Sequence, residues 1–152
     1  MTKKFDEKKA IAILNEILEA ELAGVVRYIH YSLMVYGYNR IPIVSWLREQ
    51  ADESMKHAQE AGELITHFGG HPSLGIGHLL ESHKHDVGDI LRESLKHELE
   101  TLDLYKKLLT LSEGASVMVE EYARTMISQE EMHVGEVDKM LRKPGELKAI
   151  KR

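Results

Sequence analysis

Cysteine is absent from the 152 residues, which removes disulfides, thiolate zinc, cysteine-ligated iron–sulfur clusters and a cysteine nucleophile at once. Any metal must therefore be taken by nitrogen, oxygen or thioether donors. Proline occurs three times and aromatic residues make up only 6%, and with so much Leu, Ile, Glu, Lys and Ala this favours long helices over a sheet. No run approaches the ~18 apolar residues of a membrane span, and the N-terminus lacks the apolar stretch of a secretion signal, so a cytoplasmic protein with no membrane partner is expected. An excess of positive charge is missing too. The net charge is −5, which gives no general affinity for nucleic acid; Lys3, Lys4, Lys8 and Lys9 enclose Asp6 and Glu7 and read as solvated charges at a helix start. With 43% hydrophobic and 30% charged residues, the chain has the size and balance of one domain, residues 1–152, around one core.

Four stretches carry apolar residues at helical spacing, which predicts an all-α four-helix bundle. The first, about 6–36, aligns Ile11, Leu14, Leu18, Leu22, Val25, Ile29 and Leu33 before a short turn from Asn39 to Pro42. The second, about 43–68, aligns Leu47, Ala61, Leu64, Ile65 and Phe68 and stops at Gly69 and Gly70. A long connection follows, with Pro72, Gly75 and Gly77, long enough to cross the bundle from end to end. The third stretch, about 87–111, carries Ile90, Leu91, Leu95, Leu102, Tyr105, Leu108 and Leu109; the fourth, about 116–141, carries Val119, Ala123, Met126, Val134, Val137 and Leu141 and ends at Pro144 and Gly145. Short turn, long crossover, short turn is a ferritin-like connection pattern.

Chemistry is expected where carboxylates and imidazoles interrupt these apolar faces, because a buried carboxylate needs a cation or hydrogen-bond donors to be tolerated. Glu21 falls between Leu18 and Val25, and Glu98 between Leu95 and Leu102. Glu130 and His133 lie one turn apart on the inner face of the fourth stretch, and His57 lies on the inner face of the second, with Glu53 and Ser54 one turn before it. The halves of the chain repeat: Glu21 precedes His57 by 36 residues and Glu98 precedes His133 by 35. One carboxylate from each of two helices, with Glu-x-x-His from the others, is the donor pattern of di-iron and di-manganese bundles. Hard oxygens with one imidazole per metal suit iron or manganese and leave positions open for oxygen chemistry.

The segments Glu21-Leu22-Ala23 with Arg27-Tyr28, Met55-Lys56-His57-Ala58, Leu95-Lys96-His97-Glu98-Leu99 and Glu130-Glu131-Met132-His133 occur in the order of the bacterioferritin helix motifs. From about residue 11 to about residue 141 the chain resembles that family. The resemblance implies that Glu21, His57, Glu98, Glu130 and His133 ligate a ferroxidase di-iron centre, that Tyr28 stands beside it, and that Met55 holds a haem b across a two-fold axis between paired subunits. It also implies iron storage and detoxification in a homo-oligomer, with Fe(II) oxidised by oxygen or peroxide. Two departures stand out. Ser54 occupies the position of the family's bridging glutamate, so the second helix offers only Glu53, rotated by about 100° around the axis, as a further carboxylate for the metal. Only 19 residues follow His133, interrupted by Pro144 and Gly145, where bacterioferritins carry another short helix, so either a two-fold dimer or a 24-subunit cage is compatible.

The competing expectation is a haem-binding or structural subunit with an incomplete, non-catalytic metal site. A rubrerythrin-like peroxidase would need a cysteine-rich module, and a DNA-protecting mini-ferritin places its iron between subunits, so neither matches the pattern as well. His71, His78, His83 and His85 in the long connection read as a solvated loop whose charge varies with pH rather than as metal ligands.

Overall fold

In the computed structural model, which describes residues 3–79 and 81–150, the regular structure among the described residues is entirely helical. α1 (Glu7–Met34), α2 (Arg40–His67), α3 (Val87–Ser112) and α4 (Val117–Leu141) follow the four periodic stretches. Three start where a short polar side chain takes an otherwise unpaired backbone N–H: Asp6 accepts from Lys9 N, Asp86 from Gly88 N and Ser116 from Val119 N. The turn between α1 and α2 is tighter than expected. α1 stops at Met34, Gly37 takes φ +97°, and α2 begins at Arg40, so Pro42 sits inside a helix rather than in the turn. The first turn tolerates it because its backbone nitrogens have no intrahelical acceptor to lose.

The apolar face of α1 also needs correcting. Ile29 and Leu33 face outward, and the buried positions of that half of the helix are Ala23, Gly24, Arg27, Tyr28, Tyr31 and Ser32. Polar and aromatic groups thus occupy the inner stripe beyond Glu21, and the aliphatic residues beside them are left outside. The expected inner residues of α3 and α4 are buried, apart from Leu109 and Leu141, which are only partly so.

Packing places α1 against α2, α3 against α4, and joins the pairs along α1 and α3. No comparably close approach links α2 to α4, and the bundle opens into a cleft on that side. The core has three parts. Ala10, Leu14, Ile17, Ala61, Ile65, Leu108, Val119 and Met126 fill one end. Tyr31, Val35, Leu47 and Ile90, with Leu91, Val134 and Val137 beside them, fill the other. Between the two apolar ends lies one buried polar layer containing Glu21, His57, Glu98 and Glu130.

The crossover runs along α1 toward the far end of the bundle. Ser73 N donates to Asn15 Oδ1 at 2.8 Å, Gly77 N donates to Glu19 O at 2.8 Å, and Glu81 reaches His30. Gly77 passes so close that a Cβ there would stand 2.8 Å from the Glu19 carbonyl oxygen, so only glycine fits without displacing the crossover. α3 therefore starts beside the C-terminal end of α1 and runs antiparallel to it.

Candidate metal centre

Each helix sends side chains into the polar layer. α1 supplies Glu21 and Tyr28, α2 His57, α3 Glu98 and Tyr105, and α4 Glu130 and His133. One ligand atom each from Glu21, His57 and Glu130 gathers within 4.8 Å, and all three residues are buried. His57 Nδ1 lies 3.6 Å from both Glu21 Oε1 and Glu130 Oε1. On the other side of Glu130, His133 Nε2 is 3.9 Å from Glu98 Oε1, and Tyr28 joins them, donating to Glu98 at 2.6 Å and lying 3.2 Å from His133 Nε2.

The helix pattern repeats here in a way the sequence reading missed. Tyr28 follows Glu21 by seven residues on α1 and donates across to Glu98 on α3; Tyr105 follows Glu98 by seven on α3 and donates across to Glu21 at 2.9 Å. Antiparallel helices make this reciprocal contact available whenever the same spacing occurs on both. Glu-x6-Tyr appearing twice was the legible signal for Tyr105. Trp46 was also missed. Its ring stacks on His133 at 5.8 Å between centroids and 7° between planes, a contact between α2 and α4 that no local spacing announces.

Electrostatics reflect the burial. Burial pushes Glu130 far above the ordinary carboxylate range, reinforced by the charge of neighbouring Glu98. Burial alone would push Glu98 upward too, but its contact with Glu130, the histidines and the Tyr28 hydroxyl hold it below its usual value. Burial likewise raises Glu21 against the opposing hydrogen bond from His57. For His57 burial works downward, yet hydrogen bonding to Glu21 and the charges of Glu21 and Glu53 outweigh it and raise the imidazole above 6.5. The layer thus gathers carboxylates and an imidazole that compete for protons in a buried site, and a dication would compete with those protons for the same donor atoms.

Two atoms fit the donor set to a cation. Glu130 Oε2 is shut off from solvent without a hydrogen-bond partner, and an unpaired buried carboxylate oxygen is costly unless a cation faces it. His57 presents Nδ1 to the two inner carboxylates, while Glu53 Oε2 lies 3.5 Å from its Nε2. Glu53 is thus apart from the three-residue group, on the outer nitrogen of His57 and half exposed. At 3.5 Å the Glu53 carboxylate makes no hydrogen bond to Nε2, which is buried without a partner. Ser54 is buried and packs toward α1, its hydroxyl 2.8 Å from the point where a Cβ on Gly24 would stand. His97, though buried on α3, does not join the layer; burial holds its imidazole below 6.5, and it bonds to the Ala20 backbone.

Access comes from the side where α2 and α4 stand apart. A cleft of about 390 Å³ there is lined by Gln50, Glu53, Ser54, His57, Gln129 and Glu130, among others, with Glu98 and His133 at its floor. Met55 lies on the outer surface of α2, 41% exposed, away from the polar layer.

The family model of the ferritin-like domain matches residues 11–145. The chain belongs to the ferritin family. Among curated ferritin relatives, a bacterioferritin of Brucella melitensis is 34% identical over 103 residues, 66% of this chain, and the matched region spans 62% of that relative's length. A ferritin-like di-iron carboxylate protein of Bacillus anthracis superposes with TM-score 0.82 at 26% identity, covering 92% of this chain and 100% of that one. Two more ferritin structures share the fold at 23% identity. One is a dodecameric thioferritin related to bacterioferritin from Bacteroides fragilis, with TM-score 0.84 over 91% of this chain and 87% of that one. The other is a Rhodobacter capsulatus bacterioferritin whose structure has a metal-free dinuclear site and a haem iron, with TM-score 0.81 over 91% and 86%.

Proposed function

We propose that this ferritin-family chain, one ferritin-like domain over residues 1–152, binds two Fe(II) as substrate in its polar layer, oxidises them and passes Fe(III) to storage. The observation that carries this reading is the meeting of the buried Glu21, His57 and Glu130 within 4.8 Å, with one Glu130 oxygen left unpaired. Glu21 and His57 hold one iron, Glu98 and His133 the other, and Glu130 bridges them. Glu53 sits outside this set, lining the entrance beside His57; Tyr28 and Tyr105 orient Glu98 and Glu21. The redox balance is simple. Two Fe(II) release two electrons to one dioxygen, which takes two protons and leaves as hydrogen peroxide; with peroxide as oxidant, two electrons and two protons yield two waters. Metal binds the deprotonated forms of Glu130 and His57, so loading competes with protons at both.

Storage implies a homo-oligomer. Val26, Ile29 and Leu33 form an exposed apolar stripe on α1, and Met55 is exposed on α2, surfaces suited to contact between copies. Met55 would be the haem ligand at a two-fold axis between copies; its exposed thioether is compatible with that role, and no oxidation step depends on it. No helix among the described residues is long and apolar enough to cross a membrane, and a cytoplasmic location is part of the proposal.

Stopped-flow mixing of the metal-free protein with Fe(II) and oxygen tests the reading: ferric absorbance is expected to rise faster than in a buffer control, and a rise equal to the control would contradict it. The neutral hydroxyl of Ser54 at the bridging position favours one competitor, a structural or haem-holding subunit with an inert centre. Ser54→Glu separates the two. If oxidation is already fast, the variant changes the rate by less than about tenfold; a jump on the order of 100-fold, the scale of an added ligand shell, would mean the native centre is inert.

A further inference from the structure

The crossover histidines did not all remain solvated. His85 and Glu81 turn onto His30 of α1, forming a second group of three metal-ligating side chains whose donor atoms lie within 4.8 Å of one another. His30 Nε2 is 2.5 Å from Glu81 Oε2, and His85 Nε2 is 3.4 Å from Glu81 Oε1. Both ring nitrogens are shut off from solvent, with only this carboxylate in reach. His30 is nine residues beyond Glu21, about 13 Å along the helix, so this group is separate from the central layer.

The surroundings hold the three groups in place. His83 N donates to Glu81 Oε1 at 2.5 Å, and Ser82 N donates to Glu93 Oε1 at 2.8 Å. Glu93 is fixed in turn by the Tyr31 hydroxyl, while buried Arg27 donates to the Glu93 carbonyl at 3.1 Å and to Tyr31 at 2.9 Å. The loop bearing Glu81 is therefore clamped to both α1 and α3.

We propose that His30, Glu81 and His85 form a peripheral site for a first-row divalent metal ion, with Zn(II) as reference occupant, that fastens the crossover to α1. Two imidazoles and one carboxylate suit zinc and its neighbours, whereas calcium and magnesium prefer all-oxygen shells. Donors around a tetrahedral zinc stand about 3.4 Å apart. His85 Nε2 already has that separation from Glu81 Oε1, and His30 Nε2 needs to part from Oε2 by about 1 Å to admit an ion that the carboxylate meets through one oxygen or both. Water would complete the shell, and the three protein donors alone leave that position open.

The site does not depend on the activity of the central layer. Calorimetric titration of the full chain with Zn(II) is the test, run on the native protein, on His30→Gln/His85→Gln, and on Glu130→Ala. The native protein is expected to bind one equivalent per chain more than the double variant, and Glu130→Ala is expected to keep that equivalent while losing binding at the centre. Equal stoichiometry in native and double-variant protein would overturn the proposal. Diffraction at the zinc edge from a Zn(II)-soaked native crystal gives a readout free of variant folding: an anomalous peak bonded to His30 Nε2, His85 Nε2 and Glu81 supports the site, and no peak there overturns it.

Discussion

The two halves of the central layer are built from the same parts but held differently. On the Glu21 side three ligand atoms already converge, and Glu53 backs the outer nitrogen of His57. On the Glu98 side the carboxylate and His133 are linked through Tyr28 at 3.9 Å separation, and Trp46 covers the imidazole face. The same helix spacing thus yields one half poised by carboxylates and another poised by aromatic groups. The difference teaches where a first and a second cation should go: the side with more converging anions offers the stronger field, and the other fills next.

Removing the shared member should break the comparison most severely. Glu130→Ala takes a ligand from both halves, so Fe(II) oxidation is expected to fall by more than about 100-fold, beyond the loss typical of outer-shell changes. Stopped-flow ferric absorbance measures it; retention of fast oxidation would show that Glu130 does not bridge.

The two histidines separate the halves. In His133→Ala one metal ion per chain is expected to remain at Glu21, His57 and Glu130, whereas His57→Ala should lose the tighter ion, with affinity down on the order of 100-fold. Co(II) titration followed by visible absorption distinguishes them, and identical curves for both variants would erase the asymmetry.

Removing one hydroxyl should act more mildly. Tyr28→Phe frees both Glu98 and His133, while Tyr105→Phe frees Glu21 alone, so the first is expected to slow oxidation by about tenfold and the second by less, in line with about 1 kcal/mol per hydrogen bond. The comparison of the two rates is the check, and the reverse ranking would count against the assigned halves.

The smallest effect concerns pH. Glu130 and His57 hold protons more tightly in the fold than their ordinary values of 4.5 and 6.5. Groups raised in this way stabilise the fold below those values, and the contribution is lost as pH climbs through the raised ones. Glu98, which is lowered, works oppositely only as pH falls below 4.5, and His97, also lowered, only as pH falls below 6.5, so neither offsets the trend above 6.5. Metal-free protein is expected to melt a few degrees lower at about pH 8.5 than at about pH 6.5, and metal-loaded protein to lose that dependence. Differential scanning calorimetry measures both curves.

Much of this was legible in the sequence because helical periodicity and interruptions of it are local. Glu21, His57, Glu98 and Glu130 stand out as acids or imidazoles on apolar stripes, and the interior contains them all. The inner face of α1 beyond Gly24 was misjudged for the opposite reason: Arg27 and Tyr31 look like surface residues until Glu93 from α3 is seen to satisfy them. A partner on another helix also decided the fate of Trp46, which stacks on His133. His30 gave no signal because its partners, Glu81 and His85, lie more than 50 residues away across a crossover whose path no periodicity encodes.

Diffraction at the iron edge from a crystal loaded with Fe(II) under anaerobic conditions tests the centre most directly. Two anomalous peaks are expected, one among Glu21, His57 and Glu130 and one among Glu98, His133 and Glu130. A polar layer that stays free of iron at saturating Fe(II) would contradict it.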